Sequence, residues 1–367
     1  MLLGLVLALS WSLVSYDSYS QLTRGGVFPG LLSWGLNSLH GITQNLLLTI
    51  FFFGIGLELS LEVRSGKLTR WNTLASPLLG AAGGMLFTAL PLVLVGLATH
   101  NSLLVHGWGI PMATDIALTL GALSLLGSRV PSSIRLFVLT LAILDDVGSV
   151  VALAFVKPLA YHHWLVALLA ATVSIVSVKL WQNGVKVAPW FGLASAWIAF
   201  QRLGIEPALA GAVIGVLAPA SHAPVQLERK MSILSSYVVL PLFTFVATGI
   251  SWRTDLLHAN EGKVLLTIVL VRLLGKSLGI AIGVNVSEFV GGVHVPELHG
   301  WVLIGVGFLC AVGFTVPLVF TSAIVAIASP AYNTITASLL IASTVGGVVG
   351  LLFLRWGLTR RPAQLGS

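Results

Sequence analysis

Charge is scarce in this chain. Of 367 residues only 31 are charged, 19 Lys+Arg and 12 Asp+Glu, or 8%, against roughly 25% in an ordinary soluble domain. Cysteine is nearly absent: the single Cys310 excludes a disulfide framework and any multi-cysteine metal site. Hydrophobic residues make up 56% of the chain and the mean hydropathy is +0.99, more apolar surface than a soluble protein of this size hides on folding. Soluble enzyme, disordered tail and nucleic-acid binder are excluded. What remains is an all-α polytopic membrane protein with the lipid bilayer as its solvent.

A spanning helix needs about 20 apolar residues, with a range of ~17–25. Gly, Pro and charge punctuation predicts about twelve transmembrane helices: near 1–15, 44–63, 74–98, 103–126, 133–156, 160–178, 188–201, 205–219, 233–250, 263–286, 299–327 and 331–355. The first run has no Lys or Arg ahead of it, so it reads as a short span rather than a cleaved signal peptide. Twelve spans put both termini on one side. That side collects Arg64, Lys67, Arg70, Arg129, Arg135, Lys179, Lys186, Arg229, Lys230, Arg355, Arg360 and Arg361, and the other only Arg24, Lys157, Arg202, Arg253 and Lys263. The excess predicts cytoplasmic termini.

Five charges fall inside spans: Asp115 in the fourth, Asp145 and Asp146 in the fifth, Arg272 and Lys276 in the tenth. A charge at mid-bilayer costs ~2.5–3.5 kcal/mol on insertion scales, so it needs a partner, a wet cavity or a function. Adjacent helical residues point about 100° apart, so Asp145 and Asp146 face different neighbours. One can pair with a lysine while the other faces a cavity. Pro111 lies just before Asp115 in GIPMATDIALTLG, and the eleventh span carries a matching interruption in GFLCAVGFTVPLVF, where Gly313 and Pro317 flank Phe314-Thr315-Val316. A lone proline is an ordinary kink. Two interrupted spans in corresponding places point to a midplane site between inverted repeats. Facing half-helix ends carry partial charges, which Asp115 and Lys276 are placed to neutralise. Arg272, one turn before Lys276, has no assigned place.

At these residues the chain resembles the NhaA-type sodium/proton antiporter family. The stretches that carry the likeness are FFFGIGLELSLEVRSG, IPMATDIALTLGALSLLGSRVP, LTLAILDDVGSVV, ALAGAVIG, VLPLF, LLGKSLGI and GFLCAVGFTV, in the family's order from about residue 44 to 320. The resemblance implies a single transporter domain over 1–367, with segments 74–156 and 263–355 (spans 3–5 and 10–12) as inverted repeats holding two discontinuous crossing helices. It makes Asp145 and Asp146 the Na+ and proton carriers and pairs Lys276 with Asp145. Thr114, Pro111, Gly313 and Thr315 would support the breaks. Glu58, Glu62 and Glu228 match acids of a cytoplasmic region implicated in pH response. The implied activity is electrogenic exchange of cytoplasmic Na+, and also Li+, for external H+, in pH and sodium homeostasis at the bacterial inner membrane. The transported ions are the only small partners implied, with no cofactor and no enzymatic step, and a homodimer is left open. Two departures stand out. Where the family's best-known member reads Gly-Val-His before its eighth span, this chain has Gly204-Ile205-Glu206, and Arg272 is extra.

Rival readings remain at this stage. An intramembrane aspartyl protease also uses two buried aspartates, but on different helices and usually with a Gly-x-Gly-Asp element, which is absent here. A sodium-coupled symporter of the same crossed-helix type stays open.

Overall fold

The computed structural model describes residues 1–26, 34–64, 71–155, 164–219, 223–251, 259–291, 295, 297–327 and 329–359. Lys67, Arg70, Lys157, Arg253, Arg360 and Arg361 of the charge count lie outside them.

Each of the twelve apolar segments is helical, whole or in pieces. The first is α1 (Leu2–Val14), and a short polar helix, α2 (Tyr16–Arg24), follows it. The second consists of α3 (Leu39–Ile42), a π-helical turn over Thr43–Leu47 and α4 (Leu48–Arg64). The third is α5 (Trp71–Ala98), and the fourth is split into α6 (Ser102–His106) and α7 (Ile116–Ser124). Then come α8 (Ser132–Leu153), α9 (Trp164–Gln182), α10 (Ala188–Leu203) and α11 (Leu209–Val216). The ninth runs from α12 (Ala223–Leu234) through a π turn over Ser235–Val239 into α13 (Leu240–Ala247). The tenth is α14 (Ala259–Leu270), a π turn over Val271–Gly275 and α15 (Lys276–Phe289). The eleventh is split into α16 (Gly300–Leu309) and α17 (Thr315–Ile324), and α18 (Pro330–Thr359) is the twelfth.

Seven of the described helices are long and apolar enough to cross a membrane, and α1, α16 and α17 are shorter apolar helices. The chain is a polytopic all-α membrane protein. Its outward faces agree: Leu165, Leu169, Ile175 and Val176 of α9 are all exposed, on a helix apolar all round.

Two segments differ from the sequence expectation. α2 forms because the Ser15 side chain accepts from the Ser18 N–H, Asp17 sits in its first turn and Arg24 in its last, the end charges a helix dipole favours. The ninth segment starts ten residues early, at Ala223, so Glu228, which falls ahead of the expected start at 233, lies on a helix. The separation of the seventh and eighth segments follows the expected boundary. Gly204, at φ +74°, ends α10 in the left-handed conformation that glycine adopts without steric cost.

The chain divides into two compact units. One comprises Met1–Thr69 and Ala152–Arg253. Its core packs Phe53 and Leu57 of α4 against Trp181, Trp197, Ile214 and Met231. In the same unit the Tyr19 hydroxyl lies 2.6 Å from Phe245 O and 2.9 Å from Val246 O. Burial pushes that phenol up to about 12, so it stays a donor and anchors α2 at the end of α13.

The other unit comprises Arg70–Val151 and Thr254–Ser367. Its core joins Ile134, Val138 and Leu141 of α8 to Ile280 and Val284 of α15 and to Val306 and Leu309 of α16. Within it α5 and α15 meet along glycines. A Cβ on Gly83 would fall 2.2 Å from Gly279 O, and one on Gly279 would fall 2.2 Å from Gly83 O. Small residues let membrane helices approach backbone to backbone. Beside that seam Gly84 leaves room for the Lys276 stem, whose Cδ would lie 3.3 Å from an added Cβ.

Candidate functional site

The fourth segment is interrupted around Pro111 as expected, and the eleventh just ahead of the expected Phe314-Thr315-Val316, since Thr315 and Val316 open α17 with Pro317 in its first turn; both breaks lie in the second unit. Gly107–Thr114 is non-helical between α6 and α7, and Cys310–Phe314 is non-helical between α16 and α17. Pro111 sits inside the first break, where its missing N–H and its ring oppose a continuous helix. Gly313 sits inside the second, and a Cβ there would fall 2.9 Å from Ala113 O. The Asp115 N–H donates to Val312 O at 3.0 Å, so the two interrupted backbones touch. Non-helical backbone at membrane depth is tolerated only inside protein or beside water, and Ile110, Thr114, Cys310 and Phe314 are all buried.

Each break leaves backbone groups that the helices do not satisfy. Asp115 serves the start of α17: its carboxylate accepts from the Phe314 N–H at 2.5 Å, from the Thr315 N–H at 3.3 Å and from the Thr315 hydroxyl. A carboxylate at a helix N-terminus offsets the partial positive charge there. Carbonyls beyond α6 and α16 are served by cations. Lys276 donates to Met112 O. Arg272 donates to Ala311 O at 2.8 Å, Ile110 O at 3.2 Å, Ala113 O at 2.8 Å and Gly313 O at 3.1 Å. The Gly313 N–H in turn donates to the Ser343 hydroxyl at 3.1 Å.

Asp145 and Lys276 form an ion pair of 2.5 Å with both side chains at 0% exposure. This is the pairing that the family resemblance implies. The Thr114 hydroxyl lies 2.7 Å from Asp145 Oδ2 and 2.6 Å from Cys310 O; having one proton, it serves one of these acceptors at a time. The other carboxylate oxygen, Oδ1, and the Ser149 hydroxyl one turn along α8 are buried without a hydrogen bond. Most buried hydroxyls on helices here return to a carbonyl one turn back, as Thr88, Ser174 and Thr244 do. Asp146, the next residue in the chain, is also buried, at 3% exposure. Oxygen donors of this kind suit a hard cation.

Comparison with known proteins points the same way. A family described as Na+/H+ antiporter 1 matches residues 1–354. Over 323 residues the chain is 33% identical to the Na(+)/H(+) antiporter NhaA 1 of Pseudomonas savastanoi pv. phaseolicola, covering 86% of this chain and 82% of that protein. The NhaA of Granulibacter bethesdensis is 32% identical over 363 residues, 96% of this chain and 90% of that one. The NhaA of Campylobacter concisus is 34% identical over 348 residues, 87% and 80% respectively. The chain belongs to the NhaA family.

Within this NhaA chain the expected residues divide between the two units. Asp145, Asp146, Lys276, Asp115, Thr114, Pro111, Gly313 and Thr315 fall in the second unit, and the contacts above bind all but Asp146 and Pro111 into one network of hydrogen bonds and close backbone contact. Glu58 and Glu62, four residues apart on α4, belong to the first unit with Glu228 of α12, and Glu58 lies within electrostatic reach of both. Glu206, where the family's best-known member has histidine, is buried at 3% exposure just beyond α10. Arg272 is the residue whose place the sequence did not show. Its one signal was its spacing, one helical turn before Lys276.

Proposed function

We propose that this protein is a secondary transporter that exchanges cytoplasmic Na+ for external H+. The observation that carries the reading is the fully buried Asp145–Lys276 pair set against two interrupted helices, with Asp146 beside it. A structural ion pair requires one carboxylate, and a second adjacent to it supplies the further negative charge with which a cation can compete against the lysine. Burial disfavours the charged form of any ionisable group, so a proton and a cation compete for such carboxylates. Sodium, a hard ion, is served by Asp146, Asp145 and neighbouring oxygens. Cation entry next to Asp145 weakens its hold on Lys276, and the pair is treated as one coupled titrating unit.

Antiport follows if the site changes sides only when it holds sodium or protons. With more than one proton per sodium, each turnover moves net charge, worth about 2.3 kcal/mol per charge per 100 mV. An inside-negative potential then draws protons in and drives sodium out. Li+ is the second cation expected at this site. Both termini are assigned to the cytoplasm of the bacterial inner membrane from the distribution of Lys and Arg, and no enzymatic step is assigned. Residues 74–156 and 263–355 are assigned as the inverted-repeat core, supported by the matching interruptions. The relatives named above are antiporters, and nothing in the network favours a protease or a symporter.

The test uses purified protein in proteoliposomes with a preset pH gradient and no other solute. Added Na+ should collapse the gradient at once, and Asp146→Asn should not respond. A gradient untouched by Na+ over pH 6–9 with correctly inserted protein would refute the reading.

A further inference from the structure

Arg272 holds more of the interrupted backbone than any other side chain described. It lies in the π turn over Val271–Gly275 that precedes Lys276, is fully buried, and donates to two carbonyls of each break. Lys276 donates to one. A guanidinium stays charged at any pH the protein meets and spreads five donors over a rigid plane. An ammonium is a point charge that gives up its proton far more readily when buried. The two cations of the tenth segment thus differ in kind as well as in contacts.

We propose that Arg272 is a positioning residue for the exchange, one that clamps the two breaks together and so places the groups that meet Asp145. Two of its acceptors, Ala113 O and Ala311 O, belong to the chain neighbours of Thr114 and Cys310. The Thr114 hydroxyl lies 2.7 Å from Asp145 Oδ2 and 2.6 Å from the Cys310 carbonyl, and Met112 O, next to Ala113, receives Lys276. Arg272 serves four of the five carbonyls that take a cation at the breaks, so without it the two backbones are free to part and the oxygens offered to sodium shift with them.

The inference rests on the exchange reading above, and the experiment separates the two. Arg272→Gln, Arg272→Lys and Lys276→Gln are compared with the parent protein by thermal melting in detergent and by the Na+ dependence of exchange at a single pH. If the parent itself does not exchange Na+ for H+, the functional reading fails. If it does, Arg272→Gln should melt lower than Lys276→Gln and need several-fold more Na+ for half-maximal exchange. Arg272→Lys keeps the charge but not the four contacts, so it should share the raised Na+ requirement. Should Arg272→Gln fail to fold, Arg272→Lys carries the comparison. A parent-like Na+ requirement in every arginine variant that folds leaves Arg272 a brace only and overturns the proposal. So does a Lys276→Gln protein that melts below both arginine variants.

Discussion

Replacing Gly279 by alanine should disable exchange without touching any charged group. The added Cβ would lie 2.2 Å from Gly83 O and 2.6 Å from the Gly83 carbonyl carbon. Ordinary contacts of this kind begin at about 3.3 Å, so α5 and α15 must separate by roughly 1 Å along their seam. Neither atom is the end of a flexible side chain, so local adjustment cannot absorb the clash. Overpacking of this type costs about 1–3 kcal/mol, which should show as a clearly lower melting temperature in a protein that still inserts. The effect on function should be larger. Lys276 is three residues before Gly279 on α15 and meets Asp145 at 2.5 Å, a separation that a shift of that size would lengthen or tilt. Misplacement of an acting group by about 1 Å costs on the order of 10²-fold in enzymes, and a loss of that order in Na+-driven exchange is expected. Gly121→Ala is the control, because nothing lies within 4 Å of its added Cβ, and it should leave flux unchanged and melting equal or higher. Flux and melting in Gly279→Ala equal to the control would refute the claim that the glycine seam sets the position of Lys276.

Three further outcomes are expected. Asp146→Asn should insert normally and reduce exchange to background, since the amide keeps the shape but offers no charge and no titrating proton; Asp145→Asn should reduce it nearly as far by removing the partner of Lys276. Breaking the buried pair from one side should cost about 3–5 kcal/mol of stability, and Asp145→Asn combined with Lys276→Gln should recover part of it; a double-mutant cycle without coupling would contradict the 2.5 Å contact. Glu206→His should alter the activity–pH profile, because histidine brings a side chain that titrates near 6.5, and the acid side of the parent's profile should shift as Na+ is varied; a profile identical at every Na+ concentration would mean that protons and sodium do not share a site.

The segments were legible because apolar length and Gly/Pro punctuation are local properties, and the two breaks because Pro111 and Gly313 act on their own backbone; Pro317 pointed too far along the chain, because it sits in the first turn of α17, where a helix tolerates proline. That a buried lysine would pair with a buried carboxylate was legible because intramembrane charges need partners; that the partner is Asp145 and not Asp146 was implied by the family resemblance alone. α2 was not legible, since YDSYSQLTR has no apolar run, and its cap and end charges are signals that many loops also carry. Arg272 was not, for a different reason. Its partners are main-chain carbonyls around residues 110–113 and 311–313, and a carbonyl leaves no mark in the amino-acid sequence. Side-chain partners can be guessed from residue type, but backbone partners wait for the fold.

Thr114 connects two chemistries that are otherwise unrelated. When its hydroxyl turns to Asp145, the Cys310 carbonyl loses that donor, and when it turns to Cys310 the carboxylate does. A side chain on one segment is thereby tied to the main chain of another by the position of a single hydrogen. Such a link would be invisible to any comparison of coordinates and open to vibrational spectroscopy of the labelled carbonyl.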